Sequence, residues 1–302
     1  MRKKTDAQNK APVFVRGGWV DKSRHGLTLL NVVSRRMPVR AQATVPHLAK
    51  DADASTQVGR HCIVLHGWAS SGVESRDLWA SVRTLPEAAS WHFWDVSYDS
   101  QWTTFDESAR RIVAALRREA VEFSDAILIG NSMGGVVARQ MVALGFPCRA
   151  LLSICSPHYG PAPWIPVPSR GPRSIAPRSH LLARLNRDPV DMAHRHRYHF
   201  FAITYEDALG HHEHDGIILA SSALGLGLGP VAHRERIHLR YRTVATFDAH
   251  WRGRFAAHIP PVVETLRALM KGSNELQQTD TPRAAAAQTA VAQVETREVV
   301  SV

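Results

Sequence analysis

A glycine-rich segment, Gly-Asn-Ser-Met-Gly-Gly at residues 130–135, constrains the fold of this 302-residue chain more than any other feature. It follows a short apolar run at 126–129 and precedes a helical pattern at 136–144. Glycines on both sides of Ser132 allow a sharp turn, at which the serine stands at a helix N-terminus whose dipole favours negative charge. The segment predicts a strand–turn–helix unit with Ser132 as a nucleophile. The alternatives are a glycine-rich turn without chemistry and a phosphate cradle.

Apolar runs of strand length alternate with helical patterns on both sides of this segment. This order predicts an α/β fold in which helices cover both faces of a mostly parallel sheet. Ligands bind such sheets beyond the carboxyl ends of the strands, so chemistry is expected in the loops that follow them. The predicted strands are 61–66, 91–97, 126–129, 150–155, 199–205 and 237–247, and the predicted helices are 76–83, 105–121, 136–144 and 260–270.

The net charge of +10 is unevenly distributed along the chain. Residues 1–60 hold 12 Lys and Arg against 4 Asp and Glu, whereas residues 273–302 hold 2 against 4. Basicity concentrated in one arm argues against a nucleic-acid groove in the folded part. We interpret residues 1–58 as a basic, disordered arm, 59–272 as one domain and 273–302 as a flexible tail. The arm is interpreted as a solvated tail, with peripheral contact to an anionic membrane as the alternative.

Membrane and secretory signals are missing from the pattern. No run approaches the roughly 18 apolar residues that span a bilayer. The apolar stretch at 26–33 is followed by Arg35 and Arg36, the reverse of a secretory signal. Three cysteines are too few for a disulfide framework. These features predict a cytoplasmic protein.

A histidine–glycine pair follows the first predicted strand, at His66-Gly67-Trp68. Acyl transfer needs two backbone N–H groups directed at the developing oxyanion. One donor is expected from the residue after the nucleophile, Met133, and the other from the loop after an early strand. Trp68 is the candidate for this second donor.

A nucleophilic serine requires a histidine base and a carboxylate that orients it, in the chain order Ser, Asp or Glu, His. The acid should follow the strand at 199–205, and the base should lie between the last strand and the last helix. By this position the base is His250, with His258 in reserve, whereas His238 falls within the strand. The acid candidates are Glu206, Asp207, Glu213 and Asp215.

Segments 65–68, 130–139 and 155–160 together resemble the lipase branch of the α/β-hydrolases, which includes bacterial triacylglycerol lipases, serine esterases and lipases similar to the GPI inositol deacylases. The likeness covers residues 61–271 and implies the α/β-hydrolase fold. Residues 214–218, with Ser221-Ser222-Ala223 downstream, are similar to the segment that carries the acid in those families. This implies Asp215, with Asp207 second. Asn131 departs from the pattern, because those lipases usually have His there, and Gly-Asn-Ser-Met-Gly-Gly also occurs in carbon–carbon bond hydrolases.

Residues 161–197 are rich in Pro and Arg and are interpreted as a lid-like insertion. The insertion is either a movable apolar cover over the site or an irregular surface loop. Residues 179–186 resemble a lid-region motif of the same lipases. Six clustered histidines have a spacing that could bind a metal, but no cysteine joins them, so we predict neither metal nor cofactor. They are His194, His196, His199, His211, His212 and His214.

The residues therefore predict a serine hydrolase that cleaves a small-molecule or lipid carboxylic ester through an acyl-enzyme on Ser132. One alternative is a hydrolase of another bond: a thioester, an amide or a carbon–carbon bond. The other is a catalytically silent α/β-hydrolase that acts as a scaffold.

Overall fold

The computed structural model describes residues 13–15, 18–20, 46–50, 60–68, 82, 84–119, 123, 125–245, 247–252 and 259–271. The chain divides into two units, residues 1–43 and 44–302. In the first unit, strands β1 (Val13–Val15) and β2 (Gly18–Val20) pair antiparallel. Among the described residues, no helix combines the length and apolarity that a membrane span requires.

The second unit contains one eight-stranded sheet with the order β10-β8-β7-β6-β4-β5-β3, and with β9 paired to β8. Strands β4 to β8 and β10 run parallel, and β3 and β9 pair antiparallel with β5 and β8. The predicted mostly parallel sheet is confirmed. The strands are β3 (His47–Lys50), β4 (Arg60–Leu65), β5 (Trp91–Ser97), β6 (Asp125–Asn131), β7 (Ala150–Ile154), β8 (Tyr198–Asp207), β9 (Gly210–His212) and β10 (His233–Arg240).

Eight described α-helices connect and cover these strands, and single 3-10 turns lie at Pro86–Ser90 and Arg195–Arg197. Helix α1 begins with a capping box, in which Thr104 accepts from the Glu107 N–H and the Glu107 carboxylate accepts from the Thr104 N–H. The helices are α1 (Phe105–Leu116), α2 (Met133–Ala143), α3 (Arg170–Ser174), α4 (His180–Leu185), α5 (Pro189–His194), α6 (Ala220–Ala223), α7 (Asp248–Arg252) and α8 (Pro260–Lys271).

Apolar cores lie on both faces of the sheet. Alternate residues of β4 point to opposite faces, so Ile63 packs in the core that contains Ile112 of α1 and Val136 of α2. Cys62 packs in the other core, with Leu266 of α8. This double coverage explains why the central strands read as continuous apolar runs.

Two element predictions differ from the structure. The arm predicted to lack regular structure contains three described strands: β1 and β2 pair with each other, and His47–Lys50 pairs with β5, so the sheet begins before residue 59. Four residues are too few to show a side-chain period. The last strand spans His233–Arg240 rather than the predicted 237–247. It lies at the edge of the sheet, and its charged residues hide its start from a search for apolar runs. The predicted helix at 76–83 lies outside the described residues except Val82, and the tail from 273 onward lies wholly outside them.

Candidate active site

Ser132 occupies the turn between β6 and α2 in a strained backbone conformation. Its φ of 52° and ψ of −125° lie in a region that L-residues rarely adopt. The Ser132 N–H donates to the carbonyl of Ile154 at 2.8 Å, and the Gly135 N–H donates to the Ser132 carbonyl at 3.1 Å. These bonds fix the turn to the neighbouring strand end and to the first turn of α2.

The glycines beside Ser132 are required by close backbone approach. A Cβ at Gly130 would overlap the backbone of Gly134 and Gly135, and one at Gly134 would overlap the carbonyl of Leu65. The turn therefore packs against the end of β4 with no room for side chains. The predicted reason for the glycines agrees with this geometry.

Ser132, His250 and Asp215 are hydrogen-bonded in series. The Ser132 Oγ lies 3.1 Å from His250 Nε2, and His250 Nδ1 lies 2.7 Å from Asp215 Oδ2. Because an ionised carboxylate can only accept, Nδ1 carries the proton and Nε2 is left to accept from the serine hydroxyl. The structure thus brings together the three residues expected to form a triad, from loops that follow β6, β9 and β10.

The Asp215 carboxylate is held by backbone donors. Its Oδ1 accepts from the N–H groups of Ile217 at 2.9 Å and Ile218 at 2.7 Å. The backbone carbonyl of Asp215 accepts from the His250 N–H at 2.8 Å, which joins the turn at Asp215 to helix α7. The free lone pairs on Oδ2 are therefore directed at the imidazole.

Asp207, the second acid candidate, has another role. Its carboxylate accepts from the Ala245 N–H at 2.9 Å and the Leu209 N–H at 2.8 Å, and pairs with His212 at 3.0 Å. The hydrogen bond from the Ala245 N–H is the largest of the interactions that lower the pKa of Asp207. Asp207 thus anchors the loop that leads to His250.

The remaining described acid and base candidates have partners other than Ser132 or His250. Glu206 pairs with Arg240, and Glu213 pairs with Arg236 and His211. His238 lies within β10, as expected, 3.3 Å from Thr204 Oγ1. His258 lies outside the described residues.

The two predicted oxyanion donors belong to segments next to Ser132. Met133 is the first residue of α2, so its N–H has no acceptor within the helix. A Cβ on Gly67 would lie only 2.9 Å from Ser132 Cβ, which places the backbone that leads into Trp68 directly beside the serine. His66 orients this loop: its Nε2 accepts from the Tyr98 N–H at 3.1 Å, and its Nδ1 donates to the Gly67 carbonyl at 2.7 Å.

No protein-family model matches the chain, and no curated protein matches it in sequence. Solved structures do match. The mature form of the lipase BlEst2 from Bacillus licheniformis has a TM-score of 0.50 at 10% identity, over 73% of this chain and 98% of the lipase. For its propeptide form the TM-score is 0.52 at 11% identity, over 73% of this chain and 53% of the other. Est1E from Butyrivibrio proteoclasticus, solved with ferulic acid bound, gives 0.44 at 14% identity over 76% and 96%.

The sheet order, the strained serine at the end of β6 and the match across nearly all of the mature BlEst2 chain agree on one architecture. The chain has the α/β-hydrolase fold. The fold implied by the sequence motifs is thereby confirmed.

Among the described residues, the clustered histidines bring no three metal-ligating side chains together. The one group of three metal-ligating side chains in that part of the chain is Cys155, Asp215 and His250, which includes two members of the hydrogen-bonded series. His194 and His196 instead contact the carbonyls of Val190 and Ala193.

The insertion, residues 161–197, is tied to α2 by buried charges. Arg139 of α2 donates to both oxygens of Asp191 on α5, at 3.0 and 2.7 Å, and both side chains are fully buried. Arg195 donates to the same carboxylate at 3.0 Å, and the Tyr198 hydroxyl at 3.1 Å. Arg139 also donates to Asn186 Oδ1 at 3.0 Å. The second half of the insertion is therefore anchored to the core by these charges, and strongly exposed apolar side chains occur in both halves, at Trp164 and at Met192.

His158 joins this network from the loop after β7. Arg139 donates to its Nδ1 at 3.3 Å, so its Nε2 donates to Ser153 Oγ at 3.1 Å. Burial, followed by the charges of Arg139 and Arg195, lowers the pKa of His158 well below its ordinary value. Sequence reasoning found Arg139, His158 and Asn186 only as parts of lipase-like motifs and missed Asp191 and Arg195. The available signal was their i, i+4 spacing after Asp188-Pro189, a helix start.

Proposed function

We propose that this α/β-hydrolase is a serine hydrolase that cleaves carboxylic esters through an acyl-enzyme on Ser132. The observation that carries the proposal is the hydrogen-bonded series from Ser132 through His250 to Asp215, at 3.1 and 2.7 Å. A serine hydroxyl is a weak nucleophile until a positioned base takes its proton. This series supplies the base and its orienting carboxylate.

Acylation begins when Ser132 Oγ attacks the ester carbonyl carbon and passes its proton to His250 Nε2. Asp215 stabilises the resulting imidazolium through the Nδ1 proton. The carbonyl oxygen becomes an oxyanion, which the backbone N–H groups of Met133 and Trp68 stabilise. Collapse of the tetrahedral intermediate breaks the ester C–O bond, and His250 gives its proton to the departing alcohol.

Deacylation repeats these steps with water. His250 Nε2 removes a proton from water, whose oxygen attacks the acyl carbon. The second tetrahedral intermediate collapses to the carboxylic acid, and Ser132 recovers its proton from His250. Since this cycle consumes only ester and water, no metal or cofactor enters the proposal.

The chain's fold likeness to a bacterial lipase supports ester cleavage over the alternatives, which are a thioester, an amide, a carbon–carbon bond and no reaction at all. A silent scaffold has no need to retain three linked side chains and the strained turn at Ser132. The proposed substrates are small-molecule or lipid esters.

The decisive experiment treats the purified wild-type chain with a fluorophosphonate probe and with p-nitrophenyl esters of short and long acyl chains. We expect labelling and ester turnover, both lost in Ser132→Ala. Ser221→Ala is the matched control, because Ser221 is exposed on α6 and is not part of the hydrogen-bonded series. It should label and turn over like wild type. No labelling of folded wild type would reject the serine hydrolase, and labelling without ester turnover would reject ester specificity.

His250→Ala tests the assignment of the base. We expect turnover to fall by roughly 10³-fold or more, because Ser132 then has no proton acceptor. His258→Ala, the reserve candidate, should keep full activity. The opposite pattern, with activity retained in His250→Ala, would show that the base is wrongly assigned.

A further inference from the structure

Cys155, the residue directly after β7, has an unusual backbone. Its φ of 51° makes it, with Ser132, one of two non-glycine residues at positive φ among those described. Its N–H donates to the carbonyl of Phe201 at 2.8 Å, so the turn is fixed to β8. A non-glycine residue in the left-handed region of backbone conformation costs stability, and such residues cluster at functional sites.

This turn brings the thiol to the candidate triad. Sγ of Cys155, a carboxylate oxygen of Asp215 and a ring nitrogen of His250 all lie within 4.8 Å of one another. All three side chains are buried, and Cys155 has no exposed surface. The thiol therefore lies near the carboxylate in a buried environment, in which a weak donor counts for more than it would in water.

The protonation state of this thiol is defined by its surroundings. Burial, then the negative charge of Asp215 and a hydrogen bond to it, raise the pKa of the Cys155 thiol well above its ordinary value. The sulfur thus keeps its proton throughout the neutral range. A protonated thiol beside an ionised carboxylate acts as a donor.

We propose that Cys155 is a positioning residue that donates its thiol proton to Asp215 and thereby limits how strongly the carboxylate binds the His250 imidazolium. The Asp215 carboxylate then has four donors: the two backbone N–H groups of Ile217 and Ile218, the His250 ring and the thiol. This inference rests on the proposed hydrolase function, since it concerns the acid of that triad.

The direction of the effect follows from charge. A donor withdraws negative charge from the carboxylate, so its removal makes Asp215 more basic and stabilises the imidazolium. Protonated His250 cannot accept from Ser132, so the acid limb of the pH–rate profile should move to higher pH when the thiol is removed. Removal of the thiol also leaves the Asp215 carboxylate less restrained, and we expect this loss of orientation to outweigh the stronger stabilisation of the imidazolium, so that kcat falls while KM is unchanged.

Three substitutions separate this role from core filling. Cys155→Ser keeps a donor, Cys155→Ala removes it, and Cys155→Gly removes it while relieving the positive φ, so this variant should fold even if Cys155→Ala does not. Cys62→Ala and Cys62→Ser are the matched controls. Cys62 is a fully buried cysteine in the same core, and it is not part of the group around Asp215.

We expect kcat in Cys155→Ala and Cys155→Gly to fall roughly three- to tenfold, the effect of one lost hydrogen bond, with the acid limb displaced upward by about half a pH unit. Cys155→Ser should remain near wild type in both, and the Cys62 variants should keep the wild-type limb. The other titratable groups around Asp215, namely His214, Tyr205 and Asp207, stay unchanged in all variants. An unmoved limb in both donor-free variants, or a Cys155→Ser profile equal to that of Cys155→Ala, would overturn the proposal.

A second readout does not need turnover. In protein labelled with ¹⁵N-histidine, the His250 signals, assigned by their loss in His250→Gln, should titrate at higher pH in Cys155→Ala or Cys155→Gly than in wild type. If wild type neither labels nor turns over, the proposed function fails, and this titration still tests the thiol. An unchanged titration overturns the inference even if the hydrolase is active.

Discussion

Ser132, the proposed nucleophile, has a backbone conformation that disfavours any side chain. At φ 52° and ψ −125°, a Cβ is strained whatever group it carries. We therefore expect Ser132→Gly to be more stable than Ser132→Ala by roughly 1–2 kcal/mol, although both lack the hydroxyl. Thermal and urea unfolding of the two variants measure the difference. Equal stability would mean that the turn relaxes when the hydroxyl is removed.

Asp215 and Asp207 are both buried carboxylates near the carboxyl end of β8, but only Asp215 contacts His250. Asp215→Asn should lower kcat by roughly 10⁴-fold, because an amide can hold the imidazole in the wrong tautomer. Asp207→Asn should lower stability and leave kcat within about tenfold, since it weakens only the anchoring of Ala245 and Leu209. Steady-state kinetics with unfolding curves separate the two effects. A larger loss of kcat in Asp207→Asn would reverse the assignment.

At the scale of elements, α2 and α5 are joined by the buried pair of Arg139 and Asp191. Arg139→Met should destabilise the chain by roughly 3–5 kcal/mol, because it leaves buried polar groups without their donor. Arg170→Ala is the control: Arg170 pairs with Glu107 at the surface, where an ion pair contributes at most about 1 kcal/mol. Urea unfolding provides the comparison. Equal losses would mean that the buried pair does not anchor the insertion.

The sequence was sufficient for elements whose pattern is local. The apolar run and glycines around Ser132 predicted β6, the turn and α2, because strand burial and close packing both leave a signature in adjacent residues. Chain order led to His250 as the base and left four acid candidates, and the resemblance of residues 214–218 to a lipase segment implied Asp215, which the structure places within hydrogen-bonding distance of His250.

Features that depend on distant residues could not be predicted in this way. The contact between Arg139 and Asp191 spans 52 positions, and neither side chain looks buried in its own segment. The edge strand β3 depends on pairing with β5, not on an apolar pattern of its own. The positive φ of Cys155 has no local cue, because the residue that usually marks such a turn is glycine.

At the scale of the whole molecule, histidines with lowered pKa values should make stability depend on pH. Burial, then the charge of His233, lowers the pKa of His199 from 6.5 to about 4, and the pKa of His158 is also lowered. Between pH 6.5, the ordinary pKa of histidine, and about pH 4, the pKa of His199 in the folded chain, the unfolded chain binds more protons than the folded one. The free energy of unfolding should therefore fall as pH drops from about 6.5 to about 4.

His199→Phe tests this dependence, because a phenyl ring preserves the shape without the titration. We expect the variant to lose on the order of 1–2 kcal/mol less stability than wild type across that pH window, measured by urea unfolding at each pH. His196→Phe, at an exposed position, is the control and should follow wild type. Parallel curves for wild type and His199→Phe would exclude His199 as a source of the pH dependence.

The buried charges between α2 and the insertion also bear on modularity. Many enzymes are diversified by exchanging a surface segment while the catalytic body is kept. Here such a graft would discard Asp191 and Arg195 and leave the Arg139 guanidinium of α2 charged in the interior. A donor segment would need its own acidic residue at the position of Asp191, or the recipient would need an apolar residue at 139. Residues 161–197 are thus tied to α2 by these charges, whereas an exchange restricted to the exposed stretch around Trp164 would leave the buried pair intact.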